Sequence, residues 1–117
     1  MSAIFDPEFV RANVAASDRT TLLSTMADEL LTAGYVRETF KAALLAREEV
    51  FPTGLPTQVM QVAIPHTDVE HVQRSFISVA RLTEPVTFQQ MGANDSTVDV
   101  RLVFMLAIAD KTSQLGT

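Results

Sequence analysis

Cysteine is absent from the 117-residue sequence, which excludes disulfides and thiolate chemistry and agrees with a reducing compartment. Also missing is any apolar stretch long enough to cross a bilayer. The longest, Leu102 to Ala109, falls far short of the roughly 20 residues that a spanning helix needs. The first residues offer no signal peptide, because Met1 to Asn13 carries Asp6, Glu8 and Arg11 and no apolar run. Lys and Arg nowhere cluster, and a net charge of −5 argues against nucleic acid, whose phosphates demand a positive footprint. Internal repeats and low-complexity tracts are lacking too. What is present is an ordinary globular composition, 47% apolar and 20% charged, sufficient for one domain with a sizeable core. The expectation is a soluble, cytoplasmic, single-domain protein.

Periodicity then orders the chain. A short strand is expected near Phe9 to Val14. Asp18 is a good N-cap, and Leu22, Leu23, Met26, Ala27, Leu30 and Leu31 follow at helical spacing until Gly34 supplies a stop. A second helix should start near Arg37, with Val36, Phe40, Ala43, Leu44 and Arg47 on one inward stripe and Pro52 ending it. F-P-T-G-L-P-T, Phe51 to Thr57, reads as a loop. Gln58 to Ile64 alternates as a strand, a helical turn capped by Thr67 or Asp68 is expected over Thr67 to Gln73, and Ser75 to Leu82 is rich in strand formers. Glu84 to Asp95 reads as a polar connector. Val98 to Ala109 alternates at first and then becomes apolar on both faces, as a central strand covered on two sides does. Strands interleaved with helices predict an α/β layer architecture. The five methionines are scattered and read as core filler.

The chemistry converges on Gln58 to His71, Q-V-M-Q-V-A-I-P-H-T-D-V-E-H. Pro65 has no N–H for a neighbouring strand, so pairing should stop near Ile64 and leave His66 at the sheet's end. Arg47 lies at the end of the preceding helix, and Thr53 and Gly54 lie in the loop between. A histidine that accepts a phosphoryl group needs mainly positioning and donors for the equatorial oxygens, and arginine's planar fork suits that task. Thr53, Thr67 and free backbone N–H groups could complete the cradle. The blander alternative is that Arg47 neutralises its own helix's terminal carbonyls and Thr53-Gly54 is only a turn. His66, Asp68, Glu70 and His71 also look like a metal cluster. However, neither helix nor strand spacing brings both histidines together, so Asp68 and Glu70 read as first-turn acids and His71 as a solvated residue. No serine sits in a G-x-S-x-G elbow.

R-E-E-V-F-P-T-G (Arg47 to Gly54) followed by V-A-I-P-H (Val62 to His66) resembles the type 2 IIA component of the bacterial sugar phosphotransferase system. This is the mannitol/fructose family, and the similarity is greatest to its galactitol branch. G-Y-V at Gly34 to Val36, A-L-L-A-R-E at Ala43 to Glu48 and T-F-Q-Q at Thr87 to Gln90 extend the likeness over nearly the whole chain. The resemblance implies an α/β fold with a mixed β-sheet flanked by helices on both faces. It implies that His66 takes phosphate from the phosphocarrier HPr and passes it to a cysteine on the IIB component, and through IIB serves a membrane IIC permease. It further implies that Arg47 steadies the phosphoryl group, that Thr53 and Gly54 form a small-hydroxyl loop, and that neither metal nor other cofactor is needed.

Two departures accompany the likeness. Where mannitol and fructose members carry a second histidine after the last core strand, this chain offers Gln114, as the galactitol pattern does. Glutamine donates a hydrogen bond but cannot exchange a proton near neutral pH, and His71 does not fill the missing role. The family also continues with further helices, so residues 1–117 read as one domain lacking its C-terminal part, with Lys111 to Thr117 opening a new element. A regulatory IIA-like module, whose phosphorylation state controls a partner, is the alternative function. A structural or ligand-binding α/β domain without phosphotransfer is a third.

Overall fold

The computed structural model of the chain describes residues 5–109. Two long strands, β4 (Phe76–Gln90) and β5 (Ala93–Ala107), form an antiparallel hairpin around which the rest is assembled. β1 (Phe5–Val14) runs parallel to β4 on its outer side. Two short strands, β2 (Gly54–Leu55) and β3 (Val62–Ala63), are antiparallel to each other, β2 touching the end of β4 and β3 lying parallel to β5. The result is one mixed five-stranded sheet.

α1 (Arg19–Thr32) begins and ends as its sequence dictates. The Asp18 carboxylate accepts from the Thr21 N–H at 2.7 Å, and this bond to the charged form holds the acid's pKa below its usual value. At the other end Gly34, at φ +86°, lets its own N–H reach the Leu31 carbonyl and that of Tyr35 reach Leu30. Leu22, Leu23, Met26, Ala27 and Leu30 are buried, while Leu31 sits at the stripe's edge, 38% exposed. α2 (Phe40–Val50) starts later than expected, because the residues before it are tied elsewhere: Val36 bridges Val72, the Arg37 N–H donates to the His71 carbonyl at 2.9 Å, and the hydroxyl of Thr39 at the N-cap bonds His71 Nδ1 at 2.8 Å instead of capping. Its inward residues are Phe40, Leu44 and Glu48. Arg47, expected on that stripe, is instead half-buried beside it.

Both helices pack into one cluster with Phe76, Ala80, Leu82, Val86, Phe88, Val98, Val100, Val103, Met105 and Ala107, which places them on the same face of the hairpin. The opposite face presents Ile77 opposite Leu106 and Val79 opposite Phe104, which is why the end of β5 is apolar on both sides. Met26 and Met105 fill the core as expected, whereas Met91 is exposed at the hairpin turn.

Two segments differ from the sequence reading. Glu84 to Asp95 is mostly strand rather than connector: Val86 and Phe88 point into the core between outward Glu84, Pro85 and Thr87, and only Met91-Gly92 turns. Pro85 falls in the register shift between Arg81 and Val86, where no ladder bond is lost. Conversely, the strand expected over Gln58 to Ile64 shrinks to Val62–Ala63. The Thr57 hydroxyl bonds the Met60 carbonyl and accepts from the Met60 N–H at 3.0 Å, forming a local turn that leaves Val59 96% exposed. The segment from Lys111, including Gln114, lies outside the described residues.

Candidate functional site

His66 stands one residue past the buried Pro65. The Pro65 carbonyl accepts from Leu106 N–H at 2.9 Å, and His66 forms a last parallel bridge to Leu106, so proline ends the strand without releasing the chain from the sheet. His66 Nδ1 lies 2.9 Å from the Ile64 carbonyl oxygen. A carbonyl only accepts, so the proton of a neutral imidazole sits on Nδ1 and the lone pair on Nε2. His66 is half-buried and lines an open cleft of about 490 Å³ with Thr67, Asp68, Val69, Glu70, Leu106 and Ile108.

The turn after His66 is a single 3-10 turn, Val69–His71. Asp68 takes the N-cap position without capping, and its carboxylate instead lies 3.5 Å from an Arg47 terminal nitrogen. Both side chains are substantially exposed, so this ion pair is worth little by itself. Arg47 also stacks over Phe51, its guanidinium carbon 5.1 Å from the ring centroid, while its Nε is buried without a hydrogen-bond partner among the described residues. A buried donor left unsatisfied is costly, and here it belongs to the arginine that meets the wall of the His66 cleft.

Thr53 and Gly54 have different surroundings from those expected. Glu48, next to Arg47 in α2, is 4% exposed, and Thr53 donates to it twice: N–H to Oε2 at 2.9 Å and hydroxyl to Oε1 at 2.9 Å. The Thr53 donors are therefore occupied by a carboxylate. Burial pushes the Glu48 carboxyl up from its usual value, and the Thr53 bonds, Arg19 and His66 pull it partly back. Composition gave no hint of Glu48, since the stripe reading stopped one residue short at Arg47. Its signal was the i, i+4, i+8 series Phe40, Leu44, Glu48.

Gly54 is packed where no side chain fits: a Cβ there would lie 2.6 Å from the Gln89 carbonyl oxygen and 3.2 Å from Phe88 Cβ. Gly54→Ala is expected to destabilise the fold by roughly 1–3 kcal/mol, the usual cost of overpacking, read as a lower urea midpoint with unchanged slope. An unchanged midpoint would show that β2 yields freely.

His71 is not a solvated residue. Its ring is 19% exposed, held by Thr39 at Nδ1, with Glu70 at 4.0 Å from Nε2. The two histidines are thus engaged by different parts of the chain, and no group of three His, Asp or Glu side chains that could hold a metal occurs among the described residues. No helix among the described residues is long and apolar enough to cross a membrane.

A mixed sheet under a pair of helices, with a histidine at a strand end in an open cleft whose Asp68 pairs with an arginine, defines a histidine-presenting α/β domain. Residues 3–117 match the family described as phosphoenolpyruvate-dependent sugar phosphotransferase system, EIIA 2, and the chain belongs to that family. It is 38% identical over 107 residues to the galactitol-specific EIIA component of Escherichia coli K12, covering 92% of this chain and 71% of that one. A solved PTS IIA structure from Streptococcus mutans, PtxA, superimposes with a TM-score of 0.68 at 27% identity, over 92% of this chain and 64% of that one. The IIA of mannitol from Escherichia coli, solved in complex with phosphorylated enzyme IIB, shares the fold at a TM-score of 0.73 and 24% identity, over 95% of this chain and 76% of that one.

Proposed function

We propose that this protein is a phosphocarrier in which His66 accepts a phosphoryl group from phospho-HPr and passes it to a IIB component. Through IIB it would serve a membrane IIC permease in uptake of a sugar or sugar alcohol, acting from the cytoplasm. The identity to a galactitol-specific EIIA supports a galactitol-type substrate for the coupled system. The observation that carries the reading is the His66 geometry: Nδ1 is committed to the Ile64 carbonyl, and a free Nε2 lone pair remains on a ring that lines an open cleft.

In the forward step the Nε2 lone pair attacks phosphorus. The bond between phosphorus and the donor's histidine nitrogen breaks, and its electron pair returns to the donor ring. The transition state is loose, with charge spread over three oxygens, so the protein's work is to place donors around them. Arg47 is suited to this. Its pairing with Asp68 is weak and exposed, and a phosphoryl group carrying more charge competes for the same guanidinium while offering a partner to the orphaned Nε. Thr67 lines the cleft beside His66 and can add a hydroxyl. In this structure Thr53 and Gly54 support the reading by shaping the loop rather than by offering donors.

Incubation with phospho-HPr is expected to give acid-labile, base-stable phosphate, with 15N and 31P resonances placing it on Nε2 of His66. Absence of label from a freshly charged donor would overturn the assignment, and label on Nδ1 would overturn the tautomer argument.

A further inference from the structure

We infer that Glu48 is a positioning residue for His66, acting through Thr53 and Ile64; this rests on the phosphocarrier reading above. A carboxylate at 4% exposure is expensive to keep in a small domain unless its oxygens are satisfied. Among the described residues, the hydrogen bonds that satisfy it all come from Thr53, two close ones and a longer one at 3.2 Å from the hydroxyl to Oε2. Thr53 is itself 3% exposed, so the two form a buried polar pair.

The pair is tied to the histidine by two further bonds. The Thr53 carbonyl accepts from Ile64 N–H at 3.3 Å, and the Ile64 carbonyl accepts from His66 Nδ1 at 2.9 Å. Gly54 pairs with Ala63 alongside, so the loop and the histidine strand are stitched together at Thr53 and Gly54. The Ile64 N–H and C=O belong to consecutive peptide units, so Thr53 anchors Ile64 from one side while the Ile64 carbonyl on the other selects the His66 tautomer, and Glu48 in turn holds Thr53.

The neighbours Arg47 and Glu48 then divide the work. Arg47 meets Asp68 at the wall of the cleft, and Glu48 reaches inward to the support beneath the ring. A purely structural role for Glu48 would predict something different: loss of stability on substitution, with the His66 ring unchanged in whatever protein remains folded.

Imidazole 15N spectra of the full chain separate the two, and they need no phosphate donor. The wild type should show His66 protonated mainly at Nδ1 in its neutral form. Glu48→Gln should keep that tautomer, because its amide oxygen accepts from the Thr53 N–H and its NH2 donates to the hydroxyl oxygen. Glu48→Ala should give a mixture of tautomers and about a tenfold slower kcat for phosphoryl acceptance, the scale of one hydrogen bond, with KM for the donor unchanged. Thr53→Val preserves volume and N–H but removes the hydroxyl, and it should move the tautomer in the same direction should the alanine variant not fold. An unshifted His66 tautomer in whichever of these two variants folds overturns the inference. A wild type that takes no phosphate overturns the phosphocarrier reading and leaves the tautomer result to stand on its own.

Discussion

His66→Ala is expected to accept no phosphate from phospho-HPr, down to the background of the assay. The loss should be complete because no other group in the described structure can take over. His71 is a poor substitute, because its ring is only 19% exposed and its Nε2 lies 4.0 Å from the Glu70 carboxylate, whose negative charge repels an incoming phosphoryl group. With no cysteine in the sequence, a thiolate cannot capture the phosphoryl group either. Misfolding is a poor explanation for such a loss, since His66 is half-buried and its side-chain hydrogen bond goes to a carbonyl that can bind water instead. The variant's urea midpoint should therefore stay near that of the wild type. Acid-labile label persisting on folded His66→Ala protein would end the assignment of His66.

Arg47→Ala is expected to slow phosphoryl acceptance by about 10²- to 10³-fold, the range seen when one preorganised donor to developing charge is removed. The effect should fall on kcat more than on KM, because the guanidinium's extra bonds form to the phosphoryl oxygens in transit rather than to the docked donor. Arg47→Lys should recover only part of the rate: it restores the charge without the fork or the buried Nε. Stability should change little, as the side chain is partly exposed and its contacts are a weak ion pair and a ring that is itself 60% exposed. A rate within threefold or so of wild type would return Arg47 to the blander role of neutralising its helix end.

The helices were legible because their signals are local. Asp18, the Leu22 to Leu30 stripe and Gly34 act within a few residues of one another, and each does what its side chain dictates. His66 was legible for a similar reason, since a proline ends a strand wherever it is placed. The errors came where the outcome depended on distant partners. Glu84 to Asp95 looked polar because one face of β4 and β5 meets solvent there, and the alternation of Val86 and Phe88 was masked by Pro85 and the turn residues. The polar side chain at Thr57 undid an otherwise good strand pattern by bonding its own backbone. Glu48 was hidden by its charge. Its i, i+4, i+8 spacing from Phe40 and Leu44 turns it inward, but only the three-dimensional approach of Thr53 makes a buried carboxylate tolerable, and that partner is not visible in the spacing.

The position of β4 between β1 and β5 also dictates an order of assembly. Its pairing with β5 grows outward from the Met91-Gly92 turn by joining near neighbours, whereas its pairing with β1 joins Val10 to Val79 and Arg11 to Ala80 across both helices and the histidine strand. Closing so long a loop costs entropy before any contact rewards it. The hairpin is thus the natural nucleus and β1 the late arrival, and the segment that carries His66 is captured in between, when β3 finds β5.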